Sequence, residues 1–153
     1  MQLIYLQFDL NGYVLKANEQ FLAGVGYTAQ EIIGKHHSMF CESDEVGSDQ
    51  YADFWQKLQQ GEFIASRFKR VDKQGDPVWL EATYNPIFNE QGELYKVVKF
   101  ATVITEQVKL EMAISQAADI AYSTSTETDK IAQQGAEVLN NMVQVMDALA
   151  KQM

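Results

Sequence analysis

Apolar and polar residues follow two different periods along this chain, and the change of period divides it. Leu3–Asp9 alternates, as a strand with one buried face does, and runs into Asn11-Gly12, a dipeptide that readily takes the positive φ of a tight hairpin. Tyr13–Ala17 is the second short strand. Asn18–Val25 reads as a helix ended by Gly26, and Thr28-Ala29-Gln30-Glu31 has capping-box spacing for a short helix reaching Gly34. Ser48 is expected to cap a longer helix through Gln60, closed by Gly61. Its Tyr51, Phe54, Trp55 and Leu58 recur at three and four residues, giving one buried stripe. Phe63–Val71, Val78–Phe88 and Leu94–Ile104 are strand candidates, separated by Lys73-Gln74-Gly75-Asp76 and Glu90-Gln91-Gly92 at hairpin length. Two strands, several helices and three strands predict an α+β domain on one antiparallel sheet.

From Glu106 to Met153 the period becomes seven. One apolar or small column is Ile114, Ala121, Thr128, Gly135, Met142 and Leu149; its companion is Ala117, Thr124, Ile131, Val138, Val145 and Gln152. Ala118, Ala132, Leu139 and Met146 widen the stripe to a third column, which suits a helical bundle. At 1.5 Å per residue such a helix reaches about 70 Å, too long for a domain of this size to cover its stripe, so a second chain is expected. Dimerisation is the first functional inference.

Composition agrees with the division. Residues 1–107 hold 16 of the 17 aromatics, both prolines and 8 of the 9 glycines. The formal charge of −9 argues against nucleic acid, which would need a basic patch. Arg67, Lys69, Arg70 and Lys73 are the one tight basic cluster and are expected to form a solvated strand face. No run of 18 apolar residues occurs, the N-terminus lacks the pattern of a signal peptide, and Cys41 is the single cysteine. A soluble, cytoplasmic protein without a membrane span is expected.

The segment Val78-Trp79-Leu80-Glu81-Ala82-Thr83-Tyr84-Asn85-Pro86-Ile87-Phe88, then Gly92 and Phe100-Ala101-Thr102-Val103-Ile104-Thr105, resembles the end of a PAS sensor domain. Upstream, Asn18 to Gly26-Tyr27 and Glu31-Ile32-Ile33-Gly34-Lys35 resemble the PAS helical segment. The flavour is that of soluble methyl-accepting chemotaxis receptors of the aerotaxis and biofilm-dispersal type. Ile114-Ser115-Gln116-Ala117 through Gln133-Gln134-Gly135-Ala136 resembles the start of their signalling helix. The resemblance implies a five-stranded PAS fold over 1–105 with helices on one side, then a coiled-coil helix over 106–153. It also implies a sensory, non-enzymatic module, a homodimer, and chemotaxis signalling proteins as partners of the longer receptor.

By analogy with that fold, Ser66, Phe68, Arg70, Leu80, Ala82, Tyr84, Val97, Lys99 and Ala101 face inward, with His37, as candidate lining of a small-molecule pocket. A dry core filled by the same residues is the alternative. Trp79, Thr83, Val98, Phe100 and Thr102 face outward, and Trp79, Val98 and Phe100 are assigned to a dimer or linker interface with the heptad columns. Arg70 and Lys99 either carry their tips to the rim or meet an acid or anionic ligand; rim placement is expected. Of His36 and His37, one is expected to face solvent and one to pack near the pocket. Cys41 stands four residues past the reactive-cysteine position of photochemical flavin relatives and is expected to be a packed thiol.

The cofactor stays unassigned. FAD is compatible with Leu80 and Ala82, although Ile64 and Arg70 stand where redox flavin relatives tend to carry tryptophan and asparagine. Haem fits less well, since neither histidine lies on Ser48–Gln60. A metal site is not expected. The Asp-Ile-Thr triplet with which PAS domains commonly end reads Val103-Ile104-Thr105 here, which assigns a relay to Val103 and to Thr105, expected to cap a helix from Glu106. Gln133-Gln134 is the candidate methylation pair.

Overall fold

The computed structural model describes residues 3–153; Met1 and Gln2, the start of the expected PAS segment, lie outside the described residues. Five strands form one antiparallel sheet in the order β2-β1-β5-β4-β3. They are β1 (Ile4–Phe8), β2 (Val14–Ala17), β3 (Ile64–Val71), β4 (Pro77–Phe88) and β5 (Leu94–Val103). Between β2 and β3 come α1 (Glu19–Val25), α2 (Ala29–Ile32), a 3₁₀ turn (His37–Phe40), α3 (Ser43–Val46) and α4 (Asp49–Gln59). This is the expected α+β arrangement.

One device makes all three hairpins. The side-chain oxygens of Asp9, Asp72 and Asn89 each accept two backbone N–H groups, two and four residues on. The glycine three residues on, Gly12, Gly75 or Gly92, takes positive φ of 88°, 87° and 78°. Asn11 does not share the left-handed conformation with Gly12 as the dipeptide suggests: no non-glycine residue among those described has positive φ. The Asp9 carboxylate satisfies the turn's donors, so a single left-handed position suffices. Gly12 is also a close approach, because a Cβ there would lie 2.7 Å from His36 Nε2 and 2.9 Å from Trp55 Cζ2.

The helix signals hold. Asn18 accepts the Phe21 N–H, Thr28 and Glu31 make the capping box, and Ser48 accepts the Tyr51 N–H. Two elements had no apolar period to reveal them, the 3₁₀ turn and α3, each only four residues long. α4 lays Tyr51, Trp55 and Leu58 on the core, beside the inward β1 residues Ile4, Leu6 and Phe8.

The chain divides between Val108 and Lys109 into two compact units. The second consists of the continuous helix α5 (Thr105–Ala150) from Lys109 onward and the last three residues. Every residue from Lys109 to Met153 is exposed, and Ile114, Ile131, Val138, Met142, Val145 and Leu149 each present more than half of their surface to solvent. Among the described residues no helix is long and apolar enough to cross a membrane.

Candidate functional site

The inward faces of β3, β4 and β5 meet the 3₁₀ turn and α4 around the buried side chain of Tyr84. Leu80, Ala82, Tyr84, Val97 and Ala101 are all buried in one cluster. The Tyr84 ring meets Phe54 with centroids 4.8 Å apart, Phe68 at 5.3 Å and His37 at 5.6 Å, each edge to face. Ser66 departs from the expectation: it has inward parity, yet it is exposed on the edge strand, beyond the cover of the helices.

His37 is the polar centre of this core. It has no exposure, and each ring nitrogen has a partner: Nδ1 lies 2.9 Å from the Tyr51 hydroxyl and Nε2 lies 3.0 Å from the Tyr84 hydroxyl. A neutral imidazole donates from one nitrogen and accepts at the other, and two hydroxyls can complement either tautomer. Burial, then the charges of Arg70 and Lys99, hold its pKa well below the usual histidine value, so the ring is neutral. Cys41 packs beneath it, with Sγ 3.7 Å from Nδ1, and burial pushes the thiol up to about 11. The packed-thiol expectation stands. His36 is half-buried rather than solvent-facing, because its Nε2 is held 2.9 Å from the Asn11 carbonyl and its Nδ1 accepts the Ser38 N–H.

The two inward bases do not reach the rim. Arg70 is 2% exposed and Lys99 is 1% exposed. Arg70 donates from Nη1 to Glu45 of α3 at 3.1 and 3.3 Å and to the Lys69 carbonyl at 3.0 Å, with its guanidinium over the Phe68 ring. Lys99 places its ammonium 4.9 Å above the Tyr84 ring and 5.9 Å from that of Phe21. The expected solvated basic face is corrected at Arg70 alone, since Arg67 and Lys73 are exposed and Lys69 is partly so. Lys69 pairs with Glu42 at 2.7 Å, Lys73 with Glu31 at 2.5 Å, and Arg70 turns inward to Glu45. Glu45 and the Tyr51 hydroxyl are the partners that sequence reasoning missed. A need for an acid opposite Arg70, set against the run Glu42-Ser43-Asp44-Glu45, was the available signal.

The Tyr84–Phe54 and Tyr84–His37 ring contacts occupy the space between sheet and helices that a flavin ring would need. Both nitrogens of His37 are engaged, so it does not fit a haem ligand. Among the described residues no three His, Cys, Asp or Glu side chains gather as a metal site.

On the outer face, Trp79 is half-buried and Phe100 is exposed, stacked obliquely on Tyr5 with centroids 5.5 Å apart. Val98 contributes little to this patch, being buried between its register partners Gln7 and Asn85. Where β5 ends, Trp79 and the following turn exchange two bonds: Thr105 Oγ1 accepts the Trp79 N–H at 3.0 Å, and the Ile104 N–H donates to the Trp79 carbonyl at 2.8 Å. Thr105 is therefore not the cap of a helix from Glu106. Instead α5 starts at Thr105 itself, whose hydroxyl is spent on β4. Ile104 and Val108 are buried, while Val103 is exposed.

The match to the PAS fold model spans residues 14–101. The chain is 42% identical to the biofilm dispersion protein BdlA of Pseudomonas aeruginosa over 95% of its own length and 35% of that protein's. It is 32% identical to the aerotaxis receptor of Escherichia coli over 65% of its length and 19% of the receptor's. It thus spans about a third or less of these relatives. Among solved structures, an RNA-binding light-oxygen-voltage receptor shares the fold with a TM-score of 0.64 at 18% identity, over 78% of this chain and 34% of that one. With the strand order, the helical segment and the family match in agreement, the chain belongs to the PAS fold family.

Proposed function

We propose that this chain is the sensory module of a cytoplasmic methyl-accepting chemotaxis receptor, a PAS domain over 1–105 relaying the state of its core to a dimeric signalling helix over 106–153. The observation that carries the reading is the joint at the end of β5. The last strand passes through Ile104 into a continuous helix of 46 residues, and both Ile104 and Thr105 are bonded to Trp79 of β4. A shift of β4 or β5 therefore moves the first turn of α5, and two arrangements differing by a few kcal/mol suffice for a signal. Thr105 and Val103 are the relay positions in this reading.

A second copy covers the exposed columns Ile114, Ala121, Ile131, Val138, Met142, Val145 and Leu149. A stripe of that width and length in water favours association. Phe100 and Trp79 add a smaller patch on the sheet, and Gln133-Gln134 lie exposed on α5, as a methylation pair requires. The relatives' names, an aerotaxis receptor and a biofilm dispersion protein, support a sensory rather than catalytic task, with chemotaxis proteins engaged through the rest of the longer receptor. The test is a Val138→Glu/Val145→Glu variant measured by light scattering. It is expected to be monomeric, with the PAS unit's tryptophan-monitored unfolding unchanged; a variant that remains a full dimer refutes the pairing.

A further inference from the structure

α1 faces the inner side of β5 and leaves one gap there. Phe21, Gly24 and Val25 stand three and four residues apart and share a helix face. Phe21 and Val25 are buried, and the Phe21 ring lies 5.9 Å from the Lys99 ammonium of β5. Gly24, the third member of that face, presents no side chain. It lies inside α1 and is not among the glycines with positive φ, so its backbone does not require glycine, and a glycine there weakens the helix. Val103 faces the gap. It ends β5 and continues the inward series Val97, Lys99 and Ala101, and a Cβ at Gly24 would stand 3.9 Å from its Cγ2, an ordinary van der Waals distance. Ala101 and Ile104 on either side are buried, whereas Val103 is 49% exposed.

The two ends of α1 are held differently. At its start the Asn18 side chain accepts the N–H groups of Tyr5 and Phe21 and donates to the Leu3 carbonyl, which pins the helix to β1. Farther along, the Phe21 ring meets Phe40 of the 3₁₀ turn edge to face with centroids 5.1 Å apart, and Phe40 lies 6.4 Å from His37. The Val25 carbonyl accepts the Lys73 N–H from the β3–β4 turn at 2.9 Å. α1 thus touches the aromatic core through Phe21 and faces the end of β5 through Gly24. Gly24 stands six residues beyond the pinned Asn18, about 9 Å along the axis, so a tilt about that end moves Gly24 more than Phe21.

We propose that α1 is the input arm of the β5–α5 joint and that Gly24 is its positioning residue. The missing side chain leaves Val103 room to shift against α1, and that travel passes through Ile104 and Thr105 into the first turn of α5. This rests on the sensory reading and deepens it by naming the element that drives the relay. A valine over a glycine is held by dispersion, which falls off over a fraction of an ångström and fixes no single geometry, as a hydrogen bond at that place would. The contact therefore accommodates two positions of the strand end.

The experiment uses the full chain and amide hydrogen exchange read by NMR. The reporters are the Ile104 and Val108 N–H groups, bonded to the Trp79 and Ile104 carbonyls, and the reference is the Val14 N–H of β2, bonded to the Lys35 carbonyl. Gly24→Ala is expected to raise the melting midpoint by about 2–8 °C through helix propensity. It should also slow exchange at Ile104 and Val108 about threefold more than at Val14, the factor that a partly buried methyl group supplies. In a Val103→Ala background the melting gain should persist and the extra slowing should vanish. Equal slowing at all three amides, the result of a purely structural role, overturns the proposal, as does extra slowing that survives Val103→Ala. In wild type, a nuclear Overhauser contact between the Gly24 Hα and Val103 methyl protons is expected whatever the variants do, and its absence also overturns the proposal. Sedimentation of the same samples separates this from the sensory reading. A dimer without the extra slowing sinks only the role of α1, and a monomer that shows it sinks only the transduction.

Discussion

Replacing Tyr84 with phenylalanine removes one oxygen and keeps the ring that packs on Phe54, Phe68 and His37. What is lost is the partner of His37 Nε2, 3.0 Å away in a site with no solvent exposure, and with it the hydroxyl that the buried Lys99 and Arg70 also meet. A buried polar group left without a partner costs about 1–3 kcal/mol, and the full burial of His37 places Tyr84→Phe at about 2 kcal/mol. Tyr51→Phe makes the same change at Nδ1, but there Cys41 Sγ, 3.7 Å from Nδ1, remains as a weak substitute. Its cost is therefore about 1 kcal/mol. For a domain of this size each kcal/mol moves the melting temperature by roughly 4–8 °C. The assay is urea unfolding followed by the fluorescence of Trp55 and Trp79, both in the first unit, with the denaturant slope required to stay constant. A Tyr84→Phe midpoint indistinguishable from wild type, or a Tyr51→Phe loss larger than that of Tyr84→Phe, would refute the hydrogen-bonded histidine as the organiser of the core.

The same contacts set three further outcomes. Because His37 is held neutral in the folded chain and takes a proton below about pH 6.5 when unfolded, it contributes stability above that pH. That contribution is lost as pH falls below it, so wild type should lose more stability than His37→Gln on acidification, measured by unfolding at stepped pH. Thr105→Val leaves the Trp79 N–H without its acceptor and should cost about 1 kcal/mol in the PAS unit's unfolding, whereas Thr105→Ser should restore it. The Cys41 thiol, pushed up to about 11 by burial, should react with a disulfide reagent at pH 8 far more slowly in the native protein than in urea. Fast native labelling would show that the site opens.

The architecture was legible because its signals are local. Asn18, Thr28-Glu31 and Ser48 declare helix starts, Asn11-Gly12, Lys73-Gln74-Gly75-Asp76 and Glu90-Gln91-Gly92 declare hairpins, and period two sorts β4 and β5 into faces that the structure keeps at Leu80, Ala82, Tyr84, Val97, Lys99 and Ala101. The site was less legible because its defining contacts join distant segments. The pairs Arg70–Glu45, His37–Tyr84 and His37–Tyr51 span 25, 47 and 14 residues, and no local pattern announces which hydroxyl or carboxylate will arrive. Alternation also reports only direction. Ser66 points inward and Val98 outward as their parity requires, yet Ser66 is exposed because no helix covers the edge strand there. Val98 is hidden, in turn, between its neighbours on the two adjoining strands. The rim placement expected for Lys99 rests on the general cost of burying charge, which the Tyr84 ring beneath its ammonium offsets in part.

Whether α5 is a shared helix decides the sensory reading. Sedimentation velocity of the chain over a dilution series, with helicity read at each concentration, addresses it directly. A species of twice 17.3 kDa at micromolar concentration, losing helicity as it dissociates on dilution, is the predicted result. A 17.3 kDa monomer that keeps its full helical signal at every concentration would contradict it.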